Sequence, residues 1–347
     1  MTRNGRPLAA ITGIGPVSRA AIGTAQLAAE HDPLGADAAE AVGAAPRIRP
    51  LDNFDPATYL GRRGWKFLPP VTRLALAAVR LALDDAGAQA VCGPERTGVV
   101  LGTNFAVSEV VDRIDRALLK DGISGISAVE CPNFSINVPA SQVSIAHGLK
   151  AFNITLVDLL AAGYEALLVA GWALRAGRAD SVLAGAVEGL PQTAAHQVGG
   201  ALLDAGGACV LHLESPELAR RRGAEVRGWL TAGTSLLLPE APEPAERALG
   251  SALERLGAEP PARLHLCGPA GEEEPGGWSV ERSARDWAAH RSGATEVTVT
   301  RGAPQASATS VLALARHLAR REPGDAVFAA LGPQRRLVLL RVAPAVS

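Results

Sequence analysis

A layered α/β fold is the architecture this sequence predicts, and three observations predict it. Short apolar runs, several rich in β-branched residues, alternate with longer stretches whose aliphatic residues recur at helical spacing. Gly-containing turns separate the two kinds of run. The strand–helix order then recurs in the second part of the 347-residue chain.

Leu8–Ile14 reads as a first strand that ends in a glycine turn. Over residues 70–86, Leu74, Ala77, Ala78, Leu81 and Ala82 fall on one helical face, and Gly87 is a natural stop. Thr97–Leu101 is an apolar strand; Gly102, Thr103 and Asn104 then turn into a helix over roughly 107–119. Phe152–Val157 is a short β-rich run, followed by a small-residue turn and a helix from near Gly163. Val182–Val187 and Val210–Leu213 are further strands. Arg220, Arg221, Arg222 and Gly223 end a helix and mark a hinge, which divides the chain into 1–222 and 223–347. The second half predicts strands at 226–231, 263–267, 296–299, 325–330 and 336–342, with helices at 244–256, 280–290 and 306–320. The stretches 237–246 and 269–277 are loops by composition.

Bulk chemistry narrows the functional classes. Lys plus Arg (34) nearly cancels Asp plus Glu (35), so charge makes no case for nucleic acid or an anionic membrane. Cys92, Cys131, Cys209 and Cys267 are far apart with no CxxC pair, which argues against structural zinc or a disulfide framework and fits a reducing cytoplasm. The basic start is followed by an apolar run broken at Gly13 and Gly15, so it reads as a strand and not a signal peptide. No apolar run reaches the roughly 18 residues of a membrane helix without a glycine or a charge. No residue pattern calls for a cofactor or metal.

FNITLVDLLAAGYEALLVA (152–170) has the form of a strand-to-helix elbow, a favoured seat for a nucleophile. Leu160 sits at its tip.

AITGIGPVS (10–18), RTGVVLGT (96–103), NFSINVPASQVSIAHGLKAFNIT (133–155) and RAGRADSVLAGAVEGL (175–190) are longer motifs. The first resembles the opening VTGxGxVS, and the others the successive strands and turns, of the β-ketoacyl synthases of the thiolase-like superfamily. The likeness is good over 8–215 and thinner from 223 onward. It implies a five-layer αβαβα fold built from two similar halves. It also implies covalent acyl transfer, with a Cys nucleophile at the elbow and two His that stabilise an enolate.

Carried over position by position, that machinery is missing. The elbow motif TACASG falls on Asp158–Gly163, which puts Leu160 in place of the Cys. HGTGT falls on Cys267–Gly271, which puts Cys267 in place of the first His. GHTLGAAG falls on 302–309, which puts Ala303 in place of the second. The closing GFGG loop reads AALGPQ at 329–334, and the longer PFDxxRDG loop expected between Gly189 and Gly199 is absent. Leucine cannot attack a thioester, and alanine cannot bond an enolate oxygen.

The resemblance therefore implies a ketosynthase-shaped subunit without catalysis, as in the chain-length factors of type II polyketide synthases. Those factors often carry Gln at the elbow, and Leu160 departs from this. The implied partners are an active ketosynthase and an acyl carrier protein. The LGRRGWKFL approach at 60–68 resembles that of factors from highly reducing, polyene-making systems more than that of aromatic ones. The strand before the elbow, Asn153, Ile154, Thr155, Leu156 and Val157, would pair across a two-fold axis. Asn104, Phe105, Val107, Val110, Val111, Phe134 and Ile136 would line the tunnel that sets chain length.

Other residues carry blander expectations. Cys267 with His265 could form a displaced acyl-transfer or thioesterase-like pair, although a buried structural Cys is commoner. Asp158 reads as a helix cap. His147 reads as surface, and His317 as a cation at a helix end. Arg220–Arg222, Arg316, Arg320 and Arg321 read as solvated helix faces that an acidic carrier protein could also meet.

Overall fold

The computed structural model describes residues 6–30, 46–87, 93–198, 202–268, 279–291, 295–302 and 304–345. In the N-terminal part the elements are β1 (Ala9–Val17), α1 (Thr24–Ala29), β2 (Arg47–Arg49), α2 (Pro56–Leu60), α3 (Pro70–Ala86), β3 (Thr97–Gly102), α4 (Ser108–Asp121), α5 (Val138–His147), β4 (Asn153–Leu156), α6 (Ala162–Arg175), β5 (Ser181–Gly189), α7 (Ala195–Val198), β6 (Leu202–Asp204), β7 (Gly206–Glu214) and α8 (Pro216–Arg221). The C-terminal part follows with β8 (Gly228–Leu237), α9 (Pro242–Leu256), β9 (Arg263–Gly268), α10 (Val280–Arg291), β10 (Glu296–Arg301), α11 (Ser307–Ala319), β11 (Ala326–Leu331) and β12 (Arg336–Pro344).

Ten strands are joined in the order β10-β9-β11-β12-β8-β1-β7-β5-β3-β4, while β2 and β6 form a small separate pair. The order is a topological repeat. From β1 outward the first half runs β7, β5, β3, β4; from β8 outward the second runs β12, β11, β9, β10. Strand directions repeat too, with two antiparallel pairings followed by two parallel ones in each half. The halves meet through β1 and β8, whose ladder covers only Ala9–Ile11.

Three apolar clusters define the layers. One packs α3 and α5 on the outer face of the first half-sheet, and another packs α9 and α10 on the outer face of the second. The third places α6 and α11 between the two half-sheets, with Leu167, Leu168, Val311 and Leu314 at its centre. The result is the layered α/β sandwich that the sequence predicts, with helices between the two half-sheets and on both outer faces. A strand covered on both faces must be apolar on both, and β1 is buried from end to end. Its two glycines have a steric reason: a Cβ on Gly13 or Gly15 would run into the Ala82 or Ala78 carbonyl of α3.

Some sequence boundaries move. The stretch expected as loop over 237–246 is helical from Pro242, because proline at the first helical position fixes φ and loses no bonded N–H. Val157 lies past the end of β4 and is exposed. The expected loop at 269–277 lies outside the described residues.

Candidate functional site

The elbow forms as the sequence suggests. β4 lies at the sheet edge, parallel to β3, and the chain turns through Asp158 into α6. Asp158 is the cap: its Oδ1 accepts from the Ala161 N–H at 3.1 Å. Leu160 is 2% exposed, and its backbone φ is not positive.

Two other motif positions converge on this turn. The Leu160 carbonyl accepts from Ser310 Oγ of α11 at 3.2 Å. Gly163 lets α6 and α11 touch, since a Cβ there would lie 2.7 Å from the Ser307 carbonyl oxygen. Gly332 of the AALGPQ loop sits over the Asp158 carboxylate with no room for a side chain. Arg336 completes the surround, donating from Nη1 to Glu165 at 3.1 Å and approaching Asp158 within 3.9 Å. Ala303 lies outside the described residues, but the N–H of its neighbour Gly302 donates to the Gly268 carbonyl at the end of β9.

The side chains near the turn offer little reactivity. Cys267 is buried, and burial pushes its thiol up to about 12, so it stays protonated at neutral pH. The Tyr164 hydroxyl is near enough to influence that thiol, yet no group among the described residues bonds it with good geometry. His265 binds Thr298 through Nδ1 at 2.7 Å and Thr300 through Nε2 at 3.1 Å, so both ring nitrogens are engaged. Burial pulls its pKa down to about 4. With the thiol protonated and both imidazole nitrogens taken by threonines, the two are not poised as a nucleophile–base pair.

Sequence reasoning missed the best-connected carboxylate. Glu188 is fully buried on β5 and accepts from the backbone N–H groups of Asn104 and Phe105, from Asn104 Nδ2 at 2.7 Å, and from the Thr103 and Ser307 hydroxyls. Desolvation raises its pKa, while Ser307 and the Asn104 donors oppose that rise. The available signal was one acid inside the apolar run VLAGAVEGL.

The tunnel candidates fall into different settings. Asn104 is held by Glu188 and by the Asp158 carbonyl, and so ties β5 to the elbow. Phe105 is buried beside Leu190, Leu203 and Ala306, with Leu159 of the elbow packed against that cluster. Val110 is fully buried, whereas Val107 and Val111 are half-buried. Ile136 packs against the outer helical layer, and Phe134 is exposed. Along β4, Asn153 is exposed and Ile154, Thr155 and Leu156 are half-buried. Among the described residues β4 pairs with β3 alone, so its outer edge is open.

Four blander expectations need correction. His317 is not a solvated cation: it is buried, bonded to Glu322 at 3.1 Å and set edge-on to Phe328, and burial lowers its pKa. Arg316 reaches Glu30 at 3.1 Å from a largely buried position. Arg222 pairs with the buried Glu214 at 2.7 Å. His147 is half-buried, and its pKa is lowered by burial and by Arg80.

The sequence model of the "Beta-ketoacyl synthase, N-terminal domain" matches residues 13–216, more than half of the chain. The chain belongs to that family. It is 28% identical over 137 residues to 3-oxoacyl-[acyl-carrier-protein] synthase 2 of Coxiella burnetii, covering 39% of this chain and 33% of that protein. It is 32% identical over 121 residues to the synthase of the same name from Rhizobium meliloti, covering 34% of this chain and 29% of the relative. The chain thus spans about a third of the length of the curated relatives it matches. Solved structures match over nearly the whole chain. The ishigamide ketosynthase/chain length factor superposes with a TM-score of 0.74 at 24% identity, over 99% of this chain and 100% of that one. A chain of the AntDE:AntF complex, a type II PKS acyl-carrier protein with its ketosynthase bound to the hexaketide, gives 0.75 at 17% identity, over 98% and 100%. These likenesses establish a ketosynthase fold. Among the described residues no cluster of His, Cys, Asp or Glu could hold a metal, and no helix is long and apolar enough to cross a membrane.

Proposed function

We propose that this chain is a noncatalytic ketosynthase-like subunit, a chain-length factor that pairs with an active ketosynthase and shapes the tunnel in which a polyketide grows. The observation that carries the reading is Leu160, buried at the tip of a well-formed elbow where the family's reaction needs a thiolate. The open edge of β4 supports a partner. An unpaired strand edge beside exposed Phe134, Ile145 and Val157 is an aggregation liability unless another chain covers it. Loop 61–67 supports a carrier protein: it carries Arg62, Arg63 and Lys66, all exposed, and Phe67, which is 84% exposed. Residues 1–222 and 223–347 are read as two halves of one unit that works in the cytoplasm, and the product is read as a polyene.

Within this reading Phe105 is the residue whose size most directly affects the tunnel floor, because it packs between the elbow and the turn before α11. Asn104, Val107, Val110 and Val111 hold that helix start in place, and exposed Phe134 reaches toward the partner from the segment that Ile136 anchors. The test is co-purification with the neighbouring ketosynthase, followed by mass measurement of carrier-bound products. The pair should elongate malonyl units, and the isolated chain should neither elongate nor acquire an acyl group. Leu160→Cys should leave it inert, since a restored thiol would still lack both imidazoles. Cys267→Ala should leave the pair fully active. Condensation by the isolated chain would overturn the proposal.

A further inference from the structure

A cavity of about 620 Å³ lies between β8, the end of β12, the segment after α9 and the start of α8. It shares no residue with the elbow network. Its size falls within the range of small-molecule sites. The walls are largely apolar, with the Trp229 indole, Leu256, Ala343 and Pro344 among them.

One wall is a buried cation with spare hydrogen-bonding capacity. Arg341 is 8% exposed. Its Nε and Nη2 both donate to Asp325 Oδ2, at 3.0 and 2.9 Å, and its Nη1 donates to the Glu259 carbonyl at 3.0 Å. A guanidinium carries five N–H groups, so one on each terminal nitrogen is left without an acceptor among the described residues. Leaving such donors buried and unfilled is costly. Two donors on adjacent nitrogens match the two oxygens of a carboxylate. At the mouth, Arg6 and Arg220 share Glu217 as their acidic partner, while Glu259 is exposed.

We propose that this cavity binds a small monocarboxylate with an apolar body. The carboxylate accepts from the unused Arg341 N–H groups, and the apolar body lies against Trp229, Leu256 and Ala343. Asp325 already balances the Arg341 charge, so recognition rests on paired hydrogen bonds within an apolar pocket and not on net attraction alone.

Calorimetric titration of the full chain, alone or in complex, with octanoate and with octanamide tests this. Octanoate should bind at one site per chain, at least about tenfold tighter than the amide, as expected for charge-assisted bonds. Arg341→Lys should weaken octanoate by about the same factor, because an ammonium cannot offer the paired donors. Because Arg341 also holds Asp325, Ala343→Phe is the second variant: it fills the cavity, leaves that ion pair intact and should abolish binding. Equal affinity for the amide, binding that survives Ala343→Phe, or no saturable octanoate binding in the millimolar range would each overturn the proposal.

Discussion

The two halves enter the central layer through equivalent turns, one before α6 and one before α11, and the turns solve the same problem differently. At the first, the Asp158 side chain accepts from the Ala161 N–H just ahead of α6, and the backbone stays in ordinary conformations. At the second, Thr309 Oγ1 accepts from the Gln305 N–H at 3.0 Å, but Ala306, just ahead of α11, is held at φ 44° and ψ −126°. An L-residue there is strained. The difference lies in what each turn must reach. The second turn bonds across to the first half: the Pro304 carbonyl accepts from the Asp204 N–H at 2.8 Å, Gln305 bonds the Asp204 side chain, and Ser307 bonds Glu188. Those contacts fix the backbone, so the strain persists. The half with leucine at its elbow carries the relaxed turn, and the half that reaches across to join the two carries the strained one.

The largest expected effect lies where the two helices touch. In Gly163→Ala the new Cβ would fall 2.5 Å from Val311 Cγ2 and 2.7 Å from the Ser307 carbonyl oxygen. The backbone oxygen cannot move without shifting the second turn. Overpacking of this kind should cost about 3 kcal/mol, read as a shift in denaturant midpoint. A loss below about 1 kcal/mol would mean that the helices slide apart freely and that the two turns are not rigidly coupled.

The next effect separates the outer strand pairs. In the first half, β3 and β4 place Val99, Val100 and Leu101 opposite Asn153, Ile154 and Thr155. In the second, β9 and β10 place His265 opposite Thr298, and the imidazole bonds both Thr298 and Thr300. Burial, with smaller contributions from Arg316 and His317 and an opposing one from Glu322, lowers the His265 pKa from 6.5 to about 4. The folded state thus keeps the ring neutral, while the unfolded chain takes up a proton below about 6.5. This contribution is fully present above pH 6.5 and is lost as pH falls toward about 4, at most about 3 kcal/mol. His317 and His147 are lowered too and add to the same window. His265→Asn should therefore remove the largest share of the slope in melting temperature across that range. An unchanged slope would place the acid sensitivity elsewhere.

Much of this is legible in the sequence, for identifiable reasons. Period-2 and period-3.6 patterns give the order of strands and helices, because buried layers impose them directly. The elbow is legible because small residues at Ala161, Ala162 and Gly163 are what two crossing helices require. The strand repeat is visible only weakly, since topology depends on long-range pairing that no local pattern encodes. Glu188 escapes a sequence reading because its partners, Asn104 and Ser307, are distant in sequence and act partly through the backbone. His317 and Arg316 read as solvated because a helix-end position says nothing about which neighbour, here Phe328 or Glu30, covers it. The cavity beside Arg341 leaves no trace in the sequence, because Arg6, Trp229, Leu256 and Asp325 meet only after the halves have packed.

The smallest effect bears most directly on the two turns, because its size should differ between them. Ala306→Gly relieves a backbone conformation that costs an L-residue about 1–2 kcal/mol. It also loses about 0.5–1 kcal/mol through the greater freedom of glycine in the unfolded chain, and about 0.8 kcal/mol with the buried methyl that packs in the Phe105 cluster. These terms nearly cancel, so the melting temperature should stay within about 1 °C. Ala161→Gly at the relaxed turn has no strain to relieve and gives up a buried methyl as well. It should therefore destabilise by about 1 kcal/mol or more. A neutral Ala306→Gly beside a destabilising Ala161→Gly would show that strain is confined to the turn that ties the halves together. If both variants lose stability equally, the hydrogen bonds around Pro304 and Ser307 need the alanine as placed, and the two turns are equally settled.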